Sequence, residues 1–198
     1  GEALEVEFVD WSQLLPASRS IAVTAKTDHN SIPVHHCTAT DDGWFLSTPL
    51  QHRTACQFRY SPEHVSDEVA ATHVERFVGE LGPEALALSN LRSGHRQHMW
   101  RNNCVALGAA AGWVEPLDIS NFHFLMSGLS RLTALLPTLA MQDSLATLFN
   151  REMTEQLACV RDFALLHYHS AQWRDTPFWN AARESEKPDS LRRRVELF

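Results

Sequence analysis

The sequence lacks several features that mark common classes of protein. No apolar run approaches the roughly 20 residues that a membrane-spanning helix needs, and the first residues contain no secretory signal. The 24 acidic residues outnumber the 17 basic ones, so the formal net charge is -7. Because nucleic-acid binding needs a clustered positive face, the composition argues against it. The one basic cluster, Arg192–Arg194, is more simply a solvated helix end.

Cysteine and glycine are few and scattered. The four cysteines show no close pair, which favours reduced thiols and a cytoplasmic protein. The eight glycines form no GxGxxG turn for a dinucleotide phosphate, and no GxSxG elbow accompanies a serine nucleophile.

The eleven histidines raise metal binding as an alternative. His167 and His169 diverge by about 200° on a helix, and His36 points away from its neighbours His35 and Cys37 on a strand. A zinc site needs three or four converging ligands, so the sequence predicts no metal site.

The chain changes character about a third of the way along. Four short β-prone runs, at 21–25, 34–39, 43–47 and 56–60, are separated by turn-forming residues and predict a small antiparallel sheet. A helix is predicted from a cap at Ser66 and Asp67 to about Gly79. Three more helices are predicted at 100–112, 122–135 and 144–169, the last amphipathic. We therefore predict an α+β fold, with a β-rich part at 1–62 and a mainly helical part at 63–198.

A polar elbow follows the small-residue run at 106–112. Pro116 ends the predicted helix, and Asp118, Ser120 and Asn121 are residue types that cap the next one. Exposed backbone N–H groups at such a helix start favour an anion. The alternative is a plain helix-turn-helix corner.

Five segments in register resemble one enzyme family, the flavin-dependent tryptophan halogenases. These segments are DWSQLLPASR at 10–19, GWFLSTPLQHRT at 43–54, NCVALGAAAGWVEPLDISN at 103–121, RDFALLHY at 161–168 and DTPFW at 175–179. The resemblance runs from the first residues to the last. It implies a fragment of a larger FAD-dependent monooxygenase-like fold whose N-terminal FAD-binding part is absent here.

The resemblance implies that the elbow carries the chemistry. Asp118 stands at the position of the family's catalytic glutamate, and Ser120 and Asn121 stand at its halide-binding threonine and glycine. Each of the three departs from the family residue, and the Asn121 side chain is added where backbone N–H groups must approach an ion.

Flavin contacts are implied for Trp44, Pro49, Ser120 and Phe122. Trp44 and Pro49 fall on the family's GWxWxIP signature, in which Leu46 replaces the second tryptophan. A strand tryptophan that serves only the core is the alternative interpretation.

Substrate contacts are implied near the C-terminus. His167 and Tyr168 match a pair that holds the amino-acid part of tryptophan, and Phe178 and Trp179 match a pair that flanks the indole. Asp175, or Arg174, falls near an acidic residue that holds the ammonium. The alternative is that Phe178 and Trp179 only anchor a loop to the core.

The implied activity is chlorination or bromination of an electron-rich aromatic, with reduced FAD from a separate flavin reductase, oxygen, and chloride or bromide. The implied partners are a small aromatic substrate and the reductase, and a homodimer is compatible. The family's catalytic lysine lies outside the matched region, and Lys26 and Lys187 fall on neither expected position, so this chain alone is expected to be inactive. Two alternatives stay open: a relative that binds flavin or an aromatic ligand without halogenating, and a flavin monooxygenase.

Overall fold

The computed structural model describes residues 4–26, 32–79, 86–115, 120–136 and 142–197. The strands in chain order are β1 (Phe8–Asp10), β2 (Arg19–Ala25), β3 (His36–Thr40), β4 (Gly43–Pro49), β5 (Thr54–Tyr60), β6 (Ala87–Asn90), β7 (Gly94–Arg96), β8 (Trp100–Arg101), β9 (Cys104–Val105) and β10 (Gly112–Trp113). The helices are α1 (Asp67–Val78), α2 (Ser120–Ala134), α3 (Gln142–Ser170), α4 (Pro177–Glu184) and α5 (Asp189–Glu196). These antiparallel sheets and helices confirm the α+β class. No helix in the described ranges is both long and apolar enough to cross a membrane.

The chain forms two units, each built from separate segments. The helical unit comprises Gly1–Gln13, Arg92–Leu166 and Lys187–Phe198, and the sheet unit comprises Leu14–Leu91 and His167–Glu186. The change from strands to helices near residue 62 therefore falls inside the sheet unit.

The sheet unit is built on a five-stranded antiparallel sheet with strand order β3-β4-β5-β2-β6. Phe45, Phe58 and Ile21 lie directly opposite one another on neighbouring strands and share one face. That face is buried against Ala70 and Val74 of α1. Trp44 lies opposite Arg59, so side-chain alternation places both on the other face.

Helix α1 begins as the sequence predicts. The Ser66 hydroxyl accepts from the backbone N–H of Val69, which satisfies one free donor of the first turn. The Asp67 carboxylate accepts from the Tyr60 hydroxyl at 2.7 Å and pairs with Arg19. The Tyr60 hydrogen bond is the main cause of a lowered pKa of Asp67, and the Arg19 guanidinium acts in the same direction.

The helical unit contains a three-stranded antiparallel sheet with order β1-β7-β10 and the hairpin β8–β9. The side chain of Asn150 on α3 accepts from the backbone N–H of Trp100 at 2.7 Å and donates to its carbonyl at 2.9 Å, which fixes the hairpin. The Arg161 guanidinium lies 4.8 Å from the Trp11 ring centroid and donates to the buried Asp162 carboxylate at 2.7 Å. The contact between Arg161 and Trp11 joins the DWS segment to the RDF segment.

The predicted helix at 100–112 is wrong. The structure has the β8–β9 hairpin, a 3₁₀ turn at Gly108–Ala110 and the strand β10 in its place. Asn102 and Gly108 both have a φ of 54°, a left-handed conformation that ends a helix and that asparagine and glycine tolerate. The small-residue run instead allows close approach, since a Cβ on Gly112 would lie 2.7 Å from Leu157 Cδ1.

Candidate functional site

Trp44 and Tyr168 form the centre of an aromatic cluster in the sheet unit. The Trp44 indole N–H donates to the Tyr168 hydroxyl at 2.9 Å, and each residue is only 1% exposed. The Arg59 guanidinium lies 5.5 Å from the Trp44 ring centroid. Tyr168 comes from the last turn of α3, so its hydroxyl ties that turn to the face of the sheet opposite α1.

The first turn of α4 adds two more rings to this cluster. Phe178 and Trp179 have centroids 6.1 and 5.6 Å from the Tyr168 ring. The Trp179 indole N–H donates to the Thr40 carbonyl at 2.6 Å, which attaches α4 to the end of β3. Phe178 is 0% and Trp179 is 5% exposed. Tyr168, Phe178 and Trp179 therefore lie together, and their rings are buried.

The segment 171–176 connects α3 to α4 across the end of β3. Arg174 donates to the Asp41 carboxylate at 2.6 Å and to the Ala39 carbonyl at 2.7 Å. Its guanidinium also lies 5.0 Å from the centroid of the Trp173 ring, which is 68% exposed. Trp173 is thus the exposed ring beside an otherwise buried aromatic cluster.

The remaining C-terminal and strand predictions fall on the surface or near it. His167 is exposed at the end of α3, and Asp175 is exposed and accepts from the Asn180 amide at 2.9 Å. Pro49 is half-buried at the end of β4. The structure therefore groups Trp44 and Tyr168 with the α4 aromatics, and leaves His167 and Asp175 at the rim.

The polar elbow lies in the helical unit, and its organising residue is Asn121. The Asn121 side-chain oxygen accepts from the backbone N–H of Val114 at 3.2 Å, and its amide donates to the Val114 carbonyl at 2.8 Å. Val114 is fully buried, so these bonds satisfy both of its backbone groups. The side chain of Asn121 thus ties Val114 to the start of α2.

Of the other elbow residues, Ser120 is the first residue of α2. The first N–H groups of a helix have no acceptor within it, and proteins commonly bind anions at such helix starts. Phe122, one residue further than Asn121, is 63% exposed. Asp118 lies outside the described residues.

A buried histidine lies opposite β10, the strand that precedes the elbow in the sequence. His95 on β7 is directly opposite Gly112 on β10 and contacts the edge of the Trp11 ring, with centroids 4.9 Å apart. Burial lowers the pKa of His95, so the ring is neutral at neutral pH. It therefore acts as a core residue of the β1-β7-β10 sheet.

Comparison with known proteins decides the family. The family model for tryptophan halogenase matches residues 1–198 of this chain. The chain belongs to the tryptophan halogenase family. The resemblance inferred from the five sequence segments is confirmed.

Individual halogenases agree with this assignment. The chain is 30% identical over 202 residues to the tryptophan 6-halogenase SttH of Streptomyces toxytricini, covering 98% of this chain and 38% of the relative. It is 34% identical to the solved structure of Xcc4156, a flavin-dependent halogenase from Xanthomonas campestris, with a TM-score of 0.95. It is 32% identical to BrvH, a flavin-dependent halogenase from Brevundimonas sp. BAL3, with a TM-score of 0.92. Both structures match along 100% of this chain, which spans 40% of each of them.

Three features of this segment were not predicted from the sequence. The first two are the exposed Trp173 and the Arg174–Asp41 ion pair. Trp173 lies two residues before Asp175, which was predicted as a substrate contact. The paired bonds between Asn121 and Val114 were missed too, because a side chain that reaches back seven residues leaves no periodic signal.

Proposed function

We propose that the protein containing this chain is a flavin-dependent halogenase that chlorinates or brominates an electron-rich aromatic such as tryptophan. The observation that carries the proposal is the family match along all 198 residues, which includes the five segments in order. The substrate class extends to other indoles and to phenols.

The halide is proposed to bind at the start of α2. Ser120 and Asn121 are the first two residues of that helix, where backbone N–H groups fit an anion. Because the Asn121 amide is bonded to Val114, the donors proposed for the halide are the backbone N–H groups and not this amide. Asp118, in the segment just before α2, is the proposed acidic residue of the reaction.

Bound FAD would supply the oxidation of halide by oxygen. In the described residues, the Phe122 ring offers an exposed apolar surface that fits a flavin ring. Trp44 and Pro49, both on β4, are also proposed as flavin-binding residues. The hydrogen bond to Tyr168 holds the Trp44 ring in place. Each of these residues would then help to position the cofactor.

The aromatic substrate is proposed to bind near His167, Tyr168, Asp175, Phe178 and Trp179. The grouping of three of these rings on one face of the sheet supports this location. Because the rings of Phe178 and Trp179 are buried, direct stacking on them requires a movement of the first turn of α4. A separate flavin reductase, a homodimeric assembly and a cytoplasmic location complete the proposal.

The test is a product analysis on the full-length protein with FAD, a flavin reductase, NADH and either bromide or chloride. Tryptophan, indole and phenol are supplied separately, and products are identified by mass spectrometry. The expected product carries the isotope doublet of the added halogen and is absent without halide. Asp118→Asn should remove it, while Asp143→Asn, a change at an exposed carboxylate in the first turn of α3, should retain it.

One observation favours a second function. The side chain that Asn121 places at the family's glycine position suits a relative that binds flavin or an aromatic ligand without halogenating. In that case the protein consumes reduced flavin without a halogenated product. Oxygen insertion without halide would instead indicate a monooxygenase.

A further inference from the structure

Trp173 differs from every other ring of the aromatic cluster in its exposure. It is 68% exposed, whereas Trp179, whose ring centroid is 6.4 Å away, is 5% exposed. An indole offers a large flat apolar face, and leaving it in water forgoes the gain of burial.

The exposed ring is nevertheless held in place. The Arg174 guanidinium lies 5.0 Å from its centroid, and that guanidinium is fixed by Asp41 and by the Ala39 carbonyl. The backbone on either side of Trp173 is fixed as well, since Arg183 donates to the carbonyls of Ala171 and Arg174 at 2.5 and 2.6 Å.

A flat ring that is ordered before a ligand arrives is a good stacking surface, because binding then costs little conformational entropy. The charge of Arg174 is balanced by Asp41, so the surroundings of the ring do not demand a charged ligand. These properties suit a neutral, planar, fused aromatic ring.

We propose that Trp173 is a specificity-determining residue that stacks on the aromatic substrate and favours fused rings over single rings. This inference rests on the proposed function. It adds a substrate contact that is accessible without any movement of the buried Phe178 and Trp179.

The test compares Trp173→Ala and Trp173→Phe in the full-length enzyme, with Leu88→Ala as the control. Leu88 is an exposed apolar residue on β6, at the opposite sheet edge from β3. Trp173→Ala should raise the KM for indole about three- to tenfold and the KM for phenol about twofold, with kcat unchanged. Trp173→Phe should restore part of the difference, and Leu88→Ala should leave both KM values unchanged.

The proposal is overturned if Trp173→Ala leaves the indole KM unchanged, or if it raises both KM values equally. A lowered thermal midpoint with a lowered kcat would assign Trp173 a structural role and would also overturn it. Isothermal titration of indole into the same variants separates this inference from the proposed function. If the wild type makes no halogenated product, the proposed function fails, while tighter indole binding by wild type than by Trp173→Ala still supports the stacking contact.

Discussion

Replacing Asn121 by glycine, the residue that the family pattern has at this position, should destabilise this protein. The substitution removes both hydrogen bonds to Val114, whose backbone N–H and carbonyl are fully buried. A buried group that loses its partner costs about 1–3 kcal/mol. Asn121 is itself half-buried, so water can replace part of the loss.

The expected loss is therefore about 2–4 kcal/mol in the free energy of unfolding. Urea unfolding followed by tryptophan fluorescence measures it. Asn150→Ala provides the matched control, because Asn150 makes the same pair of bonds to the backbone of Trp100. The two variants should lose comparable stability.

Asn121→Asp separates the two bonds. It keeps an acceptor for the Val114 N–H but turns the second oxygen toward the Val114 carbonyl, so stability should fall at neutral pH. Protonation at low pH restores a donor, and the difference from wild type should shrink below about pH 4. An Asn121→Gly variant within about 0.5 kcal/mol of wild type, beside a destabilised Asn150→Ala, would show that the bonds to Val114 contribute little to stability.

Substitutions at Gly43, Asp67 and Asp118 test a close backbone approach, a charged helix start and the proposed acidic residue. Gly43→Ala should destabilise the protein by several kcal/mol, on the order of an overpacked core, because its Cβ would lie 2.0 Å from the Arg59 carbonyl oxygen. The control Gly79→Ala, whose Cβ meets nothing within 4 Å, should cost only about 1 kcal/mol, since only its positive φ is unfavourable. The pKa of Asp67 is lower in the folded state than in the unfolded state. Its contribution to the free energy of unfolding is therefore present above the unfolded-state pKa and is lost as the pH falls through the folded-state pKa. Asp67→Asn should flatten the fall in stability below about pH 4, measured as the urea midpoint against pH. Asp118→Asn should lower kcat at least about a hundredfold while Asp118→Glu retains activity, and equal rates for the two variants would remove the acidic role.

Periodicity predicted the elements whose side chains alternate or recur regularly. The strands at β2, β4 and β5 and the helices α1, α2 and α3 were found within a few residues of their bounds, because one face of each is apolar. The Ser66 cap was also predicted correctly, since capping is a local interaction.

The errors arise where the backbone conformation depends on a few special residues. The run of alanines at 109–111 favours a helix by propensity, but the left-handed Asn102 and Gly108 and the pairing of Gly112 with His95 prevent it. Tertiary contacts decided this segment, and a single sequence does not contain them.

The candidate site was predicted from the family segments and not from physical patterns. The Trp44–Tyr168 hydrogen bond joins residues 124 positions apart, and nothing local signals it. The exposure of Trp173 depends on how the connecting segment lies against β3, which only the structure reveals.

The most direct test of the central claim is the mass of the product formed by the full-length protein from indole and bromide, with FAD, a flavin reductase and NADH. The expected product is a brominated indole with the bromine isotope doublet, formed only when bromide is present. Unchanged indole, in a reaction where reduced flavin is bound and oxidised, would contradict it.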